Sequence, residues 1–377
     1  MRPQRASCPV IITLVFLLWI ALPFSNLIFS FQKTAAVSEI EKRTLAPYPG
    51  LDHGSLDPFI TAYSLWYNDH FLFREQLLSL HSISNAVLFN KSGSPDDVVI
   101  GKNGWFFFVQ NEKPLYQGIT KITEKELQAI SDEIAYRGVL LRQRNILFYV
   151  AIAPMKPEIY PENLPRTWHR SPTGTATDRI IEKLKKEPRI VLIDLKDPLQ
   201  KAKKNGRLYQ VTDNHWNSVG GFYAYSAIID RVKQDFPRTR KVNEKDFSFV
   251  TQVRPGGNLA NMLGLQKIWD EVDFWPVIRN AKGHPAPKKG YPLPPNTVTS
   301  DEYEISTMTG DTTLPRALII RDSYCNALMP FLDESFCSTE YIFDSWRYLY
   351  HPEILDLEKP DLVLLIIFES NLTNLIK

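Results

Sequence analysis

The stretch RALIIRDSYCNALMPFL, from Arg316 to Leu332, decides the fold. Its first part, Ala317 to Ile320, is a short apolar run of the kind a buried parallel strand shows. Arg321-Asp322-Ser323 then makes a polar corner, and from Tyr324 the sequence reads as a helix start. A serine at such a corner has its hydroxyl at the carboxyl edge of a sheet. It also sits at a helix N-terminus, where unbonded N–H groups can face a developing oxyanion. The competing reading is plainer: Asp322 or Ser323 caps the helix and does nothing more.

A second motif lies upstream, Thr212-Asp213-Asn214-His215-Trp216-Asn217. Asp-x-His ahead of a helix lets a carboxylate orient an imidazole, which can then deprotonate a serine. Asp213, His215 and Ser323 are thus the residue types of a serine-based acyl-transfer site. Alone, the pair could be a surface turn or half a metal site. With seven histidines and no second cluster at ligand spacing, neither a metal nor another cofactor is expected.

Working outward, apolar runs alternate with helical patterns, which is the signature of an α/β sheet. Ile146–Ile152, Ile190–Leu195, Glu340–Phe343 and Leu362–Phe368 read as strands. Asp57–Phe89, Thr123–Arg142, Thr177–Lys186 and Ser218–Lys233 read as helices, with Thr123 and Glu126 spaced as a capping box. Asn103-Gly104 before Trp105–Phe108 predicts a hairpin turn. Functional groups in open α/β sheets gather at the carboxyl ends of strands. That rule would bring Lys156, in the loop after Ile152, to the same edge as His215 and Ser323. Residues 236–315 are less regular, and Pro285, Pro287, Pro292, Pro294 and Pro295 disfavour helix and central strand. A surface insertion or flap is expected there.

A chain of 377 residues can form one large domain or two modest ones, and a formal charge of +2 implies no nucleic-acid partner. Arg2 and Arg5 precede an uncharged apolar span from about Val10 to Phe31. Its length suits a bilayer crossing better than a signal-peptide core, though Pro23, Ser25 and Asn26 keep a cleaved signal open. The expected organisation is a cytoplasmic tip and transmembrane signal anchor over 1–37. An exported domain over 38–377 would follow, with the insertion at about 236–315. Cys325 and Cys337, separated by a helix, are expected to be free, buried thiols.

Taken together, these pieces resemble the SGNH hydrolases in a circularly rearranged order. Asp213/His215 come first, Arg321-Asp322-Ser323 next, and the Pro360-Asp361 pair with its apolar strand last. With the His215-Trp216 pair, Asn68 to Arg74, Gly101 to Phe107, Ala153-Pro154-Met155-Lys156 and Gly257-Asn258-Leu259, the chain resembles the AlgJ/AlgX alginate O-acetyltransferase family. The resemblance implies an SGNH-like central parallel sheet flanked by helices. It also implies acetyl transfer to hydroxyls of an exported polysaccharide through an acetyl-Ser323 intermediate. Arg347 and Tyr348 are the candidates for helping the Ser323 N–H hold the oxyanion, against their reading as ordinary surface residues. Lys156 and Asn258 are the candidates for substrate contact. The implied partners are a polysaccharide acceptor and an MBOAT-like membrane acetyl donor, with the catalytic domain outside a bacterial inner membrane. An acetyl esterase on the same three residues, or a non-catalytic assembly protein, are the alternatives. Arg321 stands where the family motif has glycine, and Glu369-Ser370-Asn371 stands where it has an asparagine turn.

Overall fold

A computed structural model describes residues 8–21, 37–38, 43–50, 56–89, 91–293, 300–345, 347–349 and 351–376. From Val98 onward its strands are β1 (Val98–Ile100), β2 (Phe106–Phe108), β3 (Leu147–Ala153), β4 (Val191–Asp194), β5 (Phe247–Pro255) and β6 (Asp270–Ile278). They continue with β7 (His284–Pro285), β8 (Glu304–Met308), β9 (Ala317–Arg321), β10 (Ser338–Phe343) and β11 (Leu362–Phe368).

Every residue of β9 and of β11 is buried. A strand covered on both faces loses its polar alternation, which is why these segments read as unbroken apolar runs. The main sheet has the order β4-β3-β11-β9-β10-β8-β7. Its first five strands are mutually parallel, and β8 and β7 close one side antiparallel. Pro285 lies in the edge strand β7, where its missing N–H removes little from the ladder. The helices Glu124–Gln143, Ala176–Leu184 and Ser218–Asp235 pack on the sheet. The first carries the full capping box between Thr123 and Glu126. Between β1 and β2, Asn103 (φ 56°) and Gly104 (φ 72°) are both left-handed, as a tight Asn-Gly turn requires.

Several expectations need correction. The helical stretch 57–89 is two helices, Leu56–His70 and Arg74–Phe89, parted where Phe73 turns left-handed at φ 62°. No glycine or proline announces that break. Residues 236–315 are more regular than their prolines suggest: they supply β7 and β8 to the main sheet and a long antiparallel hairpin, β5–β6. The segment after Ser323 is a 3-10 turn, Ser323–Ala327, and then one turn of helix, Met329–Leu332. Pro330 cannot donate back to the 3-10 turn, so a continuous α-helix is blocked. Cys325 is buried and Cys337 half-buried, and both are free.

The helix Cys8–Ala21 spans 14 residues, about 21 Å at 1.5 Å per residue against a hydrocarbon core of about 30 Å. No helix among the described residues is long and apolar enough to cross a membrane. The remainder of the expected span, 22–31, lies outside the described residues.

Ile319 sits at the middle of the sheet with no exposed surface, paired to Tyr341 on one side and Leu364 on the other. Ile319→Ala is expected to cost about 2–5 kcal/mol, read as a lowered denaturant midpoint with the slope unchanged.

Candidate active site

The strand β9 ends at Arg321, and the chain turns at once into the 3-10 segment. Asp322 caps that turn: its Oδ1 accepts the Tyr324 N–H at 2.9 Å. Its Oδ2 accepts the Tyr348 hydroxyl and the Phe368 N–H, both at 2.6 Å. Burial pushes the Asp322 carboxyl up, while these donors pull it back. The plain capping reading therefore describes Asp322. Ser323 has a further partner.

His215 Nε2 lies 2.8 Å from Ser323 Oγ, across 108 residues of chain. His215 Nδ1 lies 2.7 Å from Asp213 Oδ1, so with Nδ1 protonated Nε2 is the acceptor for the serine proton. Asp213 accepts two more donors, the His215 N–H at 3.1 Å and the Asn258 N–H at 2.8 Å. Burial alone would raise the Asp213 carboxyl, but His215 and the two N–H groups hold it well below the usual carboxylate range. For His215 burial pulls downward, yet Asp213 wins and keeps the imidazole above its ordinary 6.5.

The loop carrying the pair is fixed from several sides. Thr212 donates its N–H and its hydroxyl to Glu271 of β6, each at 2.7 Å. The Trp216 indole donates to the Tyr324 carbonyl at 2.8 Å, and the Tyr324 hydroxyl donates to the Asn214 carbonyl at 3.0 Å. The Tyr324 ring lies between His215, 4.7 Å away, and Phe368, stacked at 4.3 Å. Asn217 accepts from the N–H groups of Val219 and Gly220, capping the helix Ser218–Asp235. Gly257 is glycine for want of room: a Cβ there would stand 2.6 Å from the Asp213 Cβ.

Lys156 does not face the cleft. It has no exposed surface, and its ammonium donates to the carbonyls of Phe106 (2.7 Å), Val211 (2.9 Å) and Asp213 (2.9 Å). Three N–H bonds meet three acceptors one for one, with the rings of Trp105 and Phe107 about 5 Å away. Burial lowers the Lys156 ammonium to about 7 and raises the Glu112 carboxyl to about 8. Glu112 is fully buried beside it, and neither of its oxygens has a hydrogen-bond partner. A lysine this enclosed cannot touch a substrate. It fastens the Asp213 loop to β2.

Arg347 and Tyr348 also lie elsewhere than expected. Arg347 is exposed, its N–H donates to Asp344, and it is not among the residues lining the cleft at Ser323. Tyr348 is buried with φ 50°, and it braces Asp322 from behind while accepting from Asn371 at 3.0 Å. Arg321 ends a strand and is not left-handed, so the turn forms without glycine's freedom. Its guanidinium lies over Phe343 and donates to Asn326 Oδ1 at 2.6 Å. Glu369 accepts the Met155 N–H at 2.6 Å and so joins the ends of β3 and β11. Asn258 lines the cleft with its exposed side chain.

The cleft holds about 410 Å³ and is lined by His215, Ser323 and Asn258. Its other lining residues include Asn326, Trp275 and Asp273, none of which sequence reading singled out. Among the described residues no group of histidine, cysteine and carboxylate could hold a metal ion. A hydroxyl, an imidazole and a carboxylate in series suit nucleophilic acyl chemistry.

Replacing Lys156 by methionine keeps the volume but strips three buried carbonyls of their donor, at about 1–3 kcal/mol each. The expected outcome is a loss of at least about 3 kcal/mol of stability, with faster amide exchange over 211–217. Unchanged exchange in that loop would show that Lys156 does not pin it.

The family model described as "SGNH hydrolase-like domain, acetyltransferase AlgX" matches residues 98–289, which include Asp213 and His215 and stop short of Ser323. The chain is similar to the probable alginate O-acetylase AlgJ of Azotobacter vinelandii, 26% identical over 220 residues, covering 56% of this chain and 52% of the relative. It is likewise similar to that of Pseudomonas aeruginosa, 27% identical over 244 residues, covering 61% and 58%. It therefore spans little more than half the length of these curated relatives. In structure it resembles PatB1 of Bacillus cereus, with a TM-score of 0.54 at 19% identity, covering 74% of this chain and 95% of that one. That likeness speaks for the fold alone. With just over half of its residues matched by the family model, the chain belongs to the SGNH hydrolase-like, acetyltransferase AlgX family.

Proposed function

We propose that this protein is an O-acetyltransferase that moves acetyl groups onto hydroxyls of an exported polysaccharide, with Ser323 as nucleophile. The observation that carries the reading is the unbroken series Asp213–His215–Ser323, with contacts of 2.7 and 2.8 Å, opening on a cleft. Ser323 Oγ attacks the carbonyl carbon of an acetyl donor as its proton passes to His215 Nε2. The donor's leaving oxygen takes that proton as its bond to the acetyl group breaks, which leaves acetyl-Ser323. A sugar hydroxyl then gives its proton to the neutral His215 and attacks the acetyl-serine, and the returned proton regenerates Ser323. Ionised Asp213 stabilises the imidazolium in both halves. The Ser323 N–H, among those a helical turn leaves without an internal acceptor, faces the oxyanion. The Asn326 amide lies in the same lining and supplies the second donor, its oxygen being engaged by Arg321.

The finer assignments follow from that reading. A circularly rearranged SGNH order is supported by the position of the Asp213/His215 loop ahead of the serine strand β9 in the chain. The acceptor and an MBOAT-like membrane acetyl donor are the partners. Export past a membrane, with 1–37 as anchor and 38–377 as the exported domain, is supported by Arg2, Arg5 and the uncharged span that follows.

The decisive test supplies a chromogenic acetyl ester with and without an oligosaccharide acceptor. Acetylated sugar is the expected product; free acetate alone would mean hydrolysis, and no ester turnover would sink the reading. Ser323→Ala is expected to abolish turnover. His215 serves as base only when neutral, and its imidazole sits above 6.5. Turnover should therefore fall as pH drops through a value above 6.5 and hold its plateau on the alkaline side. Asp213→Asn removes the charge that raises His215, so the acid limb should move to lower pH while the rate falls about 10²–10⁴-fold.

A further inference from the structure

One wall of the cleft carries a side chain that the reaction above does not use. Trp275 lies on β6 and lines the cleft beside Pro276, yet 55% of its surface is exposed. Tryptophan is usually highly buried, so an indole held open at the wall of a polar cleft invites a ligand with a flat apolar face. A pyranose ring offers such a face in its C–H groups and carries its hydroxyls around the rim.

The charges of the wall narrow the ligand further. Among the described residues lining the cleft there is no lysine or arginine, and there are two carboxylates, Asp273 and Glu302. Among the described residues two arginine guanidiniums bond to lining residues. Arg254 donates to Asp273 Oδ2 at 3.0 Å and to Gln210 Oε1 at 2.6 Å. Arg321 is 1% exposed and donates to Asn326 and to the Glu302 carbonyl. Asp273 thus has its counter-charge, whereas Glu302 is exposed on the lining. Of the residues that precede it in sequence, 294–300 carry no charge and Asp301 is acidic. The cleft is neutral to negative, while the relatives it resembles are named for alginate, a polymer with a carboxylate on every sugar. Such a polymer would meet Glu302 with like charge and find no free cation on the lining.

We propose that the acceptor is an uncharged polysaccharide, one sugar ring of which packs on Trp275, and that polyuronates are disfavoured by Glu302. The inference rests on the acetyltransferase reading for the word acceptor, but the preference itself is a property of the cleft. It is tested by calorimetric titration of Ser323→Ala protein with an oligomannuronate and with its carboxyl-reduced, neutral counterpart. At low salt the neutral oligosaccharide is expected to bind at least about tenfold tighter, and added salt should narrow the gap as the repulsion is screened. Trp275→Ala should raise its Kd about tenfold, and Trp275→Phe should recover most of the loss. Glu302→Lys should shift preference toward the uronate. Equal or tighter uronate binding at low salt, an unaffected Trp275→Ala, or no binding of either sugar at millimolar concentration would each overturn the proposal. Ester turnover of the unmodified protein is measured separately. Its loss beside an intact preference removes the transferase reading and upholds the neutral cleft, and intact turnover without the preference removes this inference alone.

Discussion

A buried ammonium underlies the geometry. The Asp213–His215 loop and the strand that ends at Ser323 are far apart in sequence, and nothing in β9 alone would hold the loop in place. Beside the Thr212–Glu271 and Trp216–Tyr324 bonds, Lys156 fastens it by giving its three N–H bonds to carbonyls of Phe106, Val211 and Asp213. Those carbonyls come from two separate segments, 106 on β2 and 211–213 on the loop. Enclosing the charge is costly, and the depressed pKa reflects that cost. The aromatic faces of Trp105 and Phe107 recover part of it. Removing one member of such an arrangement hurts more than the arrangement contributes, because the carbonyls left behind stay dry.

Above this fastening, the electrostatics of the site follow from which groups gain donors on folding. Asp213 collects three and stays ionised. Asp322 also collects three, from Tyr324, Tyr348 and Phe368, and they set the shape of the serine turn. Similar carboxylates therefore serve different ends, one facing the imidazole and the other the backbone. Glu112 has no donor at all, and burial keeps its proton on.

Much of this was legible in the residues. Strands buried on both faces announce themselves as apolar runs, so Ala317–Ile320 and Leu362–Phe368 stood out, and Asn103-Gly104 marked its turn. That Asp213, His215 and Ser323 would meet was readable because serine-based acyl chemistry would call for those residue types at the ends of elements. Lys156 was misjudged because lysine is almost never fully buried, and its three acceptors are backbone groups that sequence does not display. Tyr348 reads as an oxyanion candidate because its actual contacts, with Asp322 and Asn371, are long-range. The hairpin β5–β6 was hidden by its own exposure: Val250, Val253, Trp275 and Val277 are each more than half exposed, so no core-facing alternation singles it out. Trp275 was missed with it.

The order of strands has a kinetic corollary. β11, which lies between β3 and β9, is the last of the sheet's strands in the chain, and its pairing of Leu362 with Leu147 closes a loop of more than two hundred residues. Such distant pairing is slow to form, because the entropy of closure is spent before the contact rewards it. A chain emerging amino end first would hold β3 and β9 with unpaired edges until its final strand arrives. Ser323 and the histidine loop can then meet only after the sheet's middle has been filled, so nascent or shortened forms would lack the site and be prone to aggregate through those open edges.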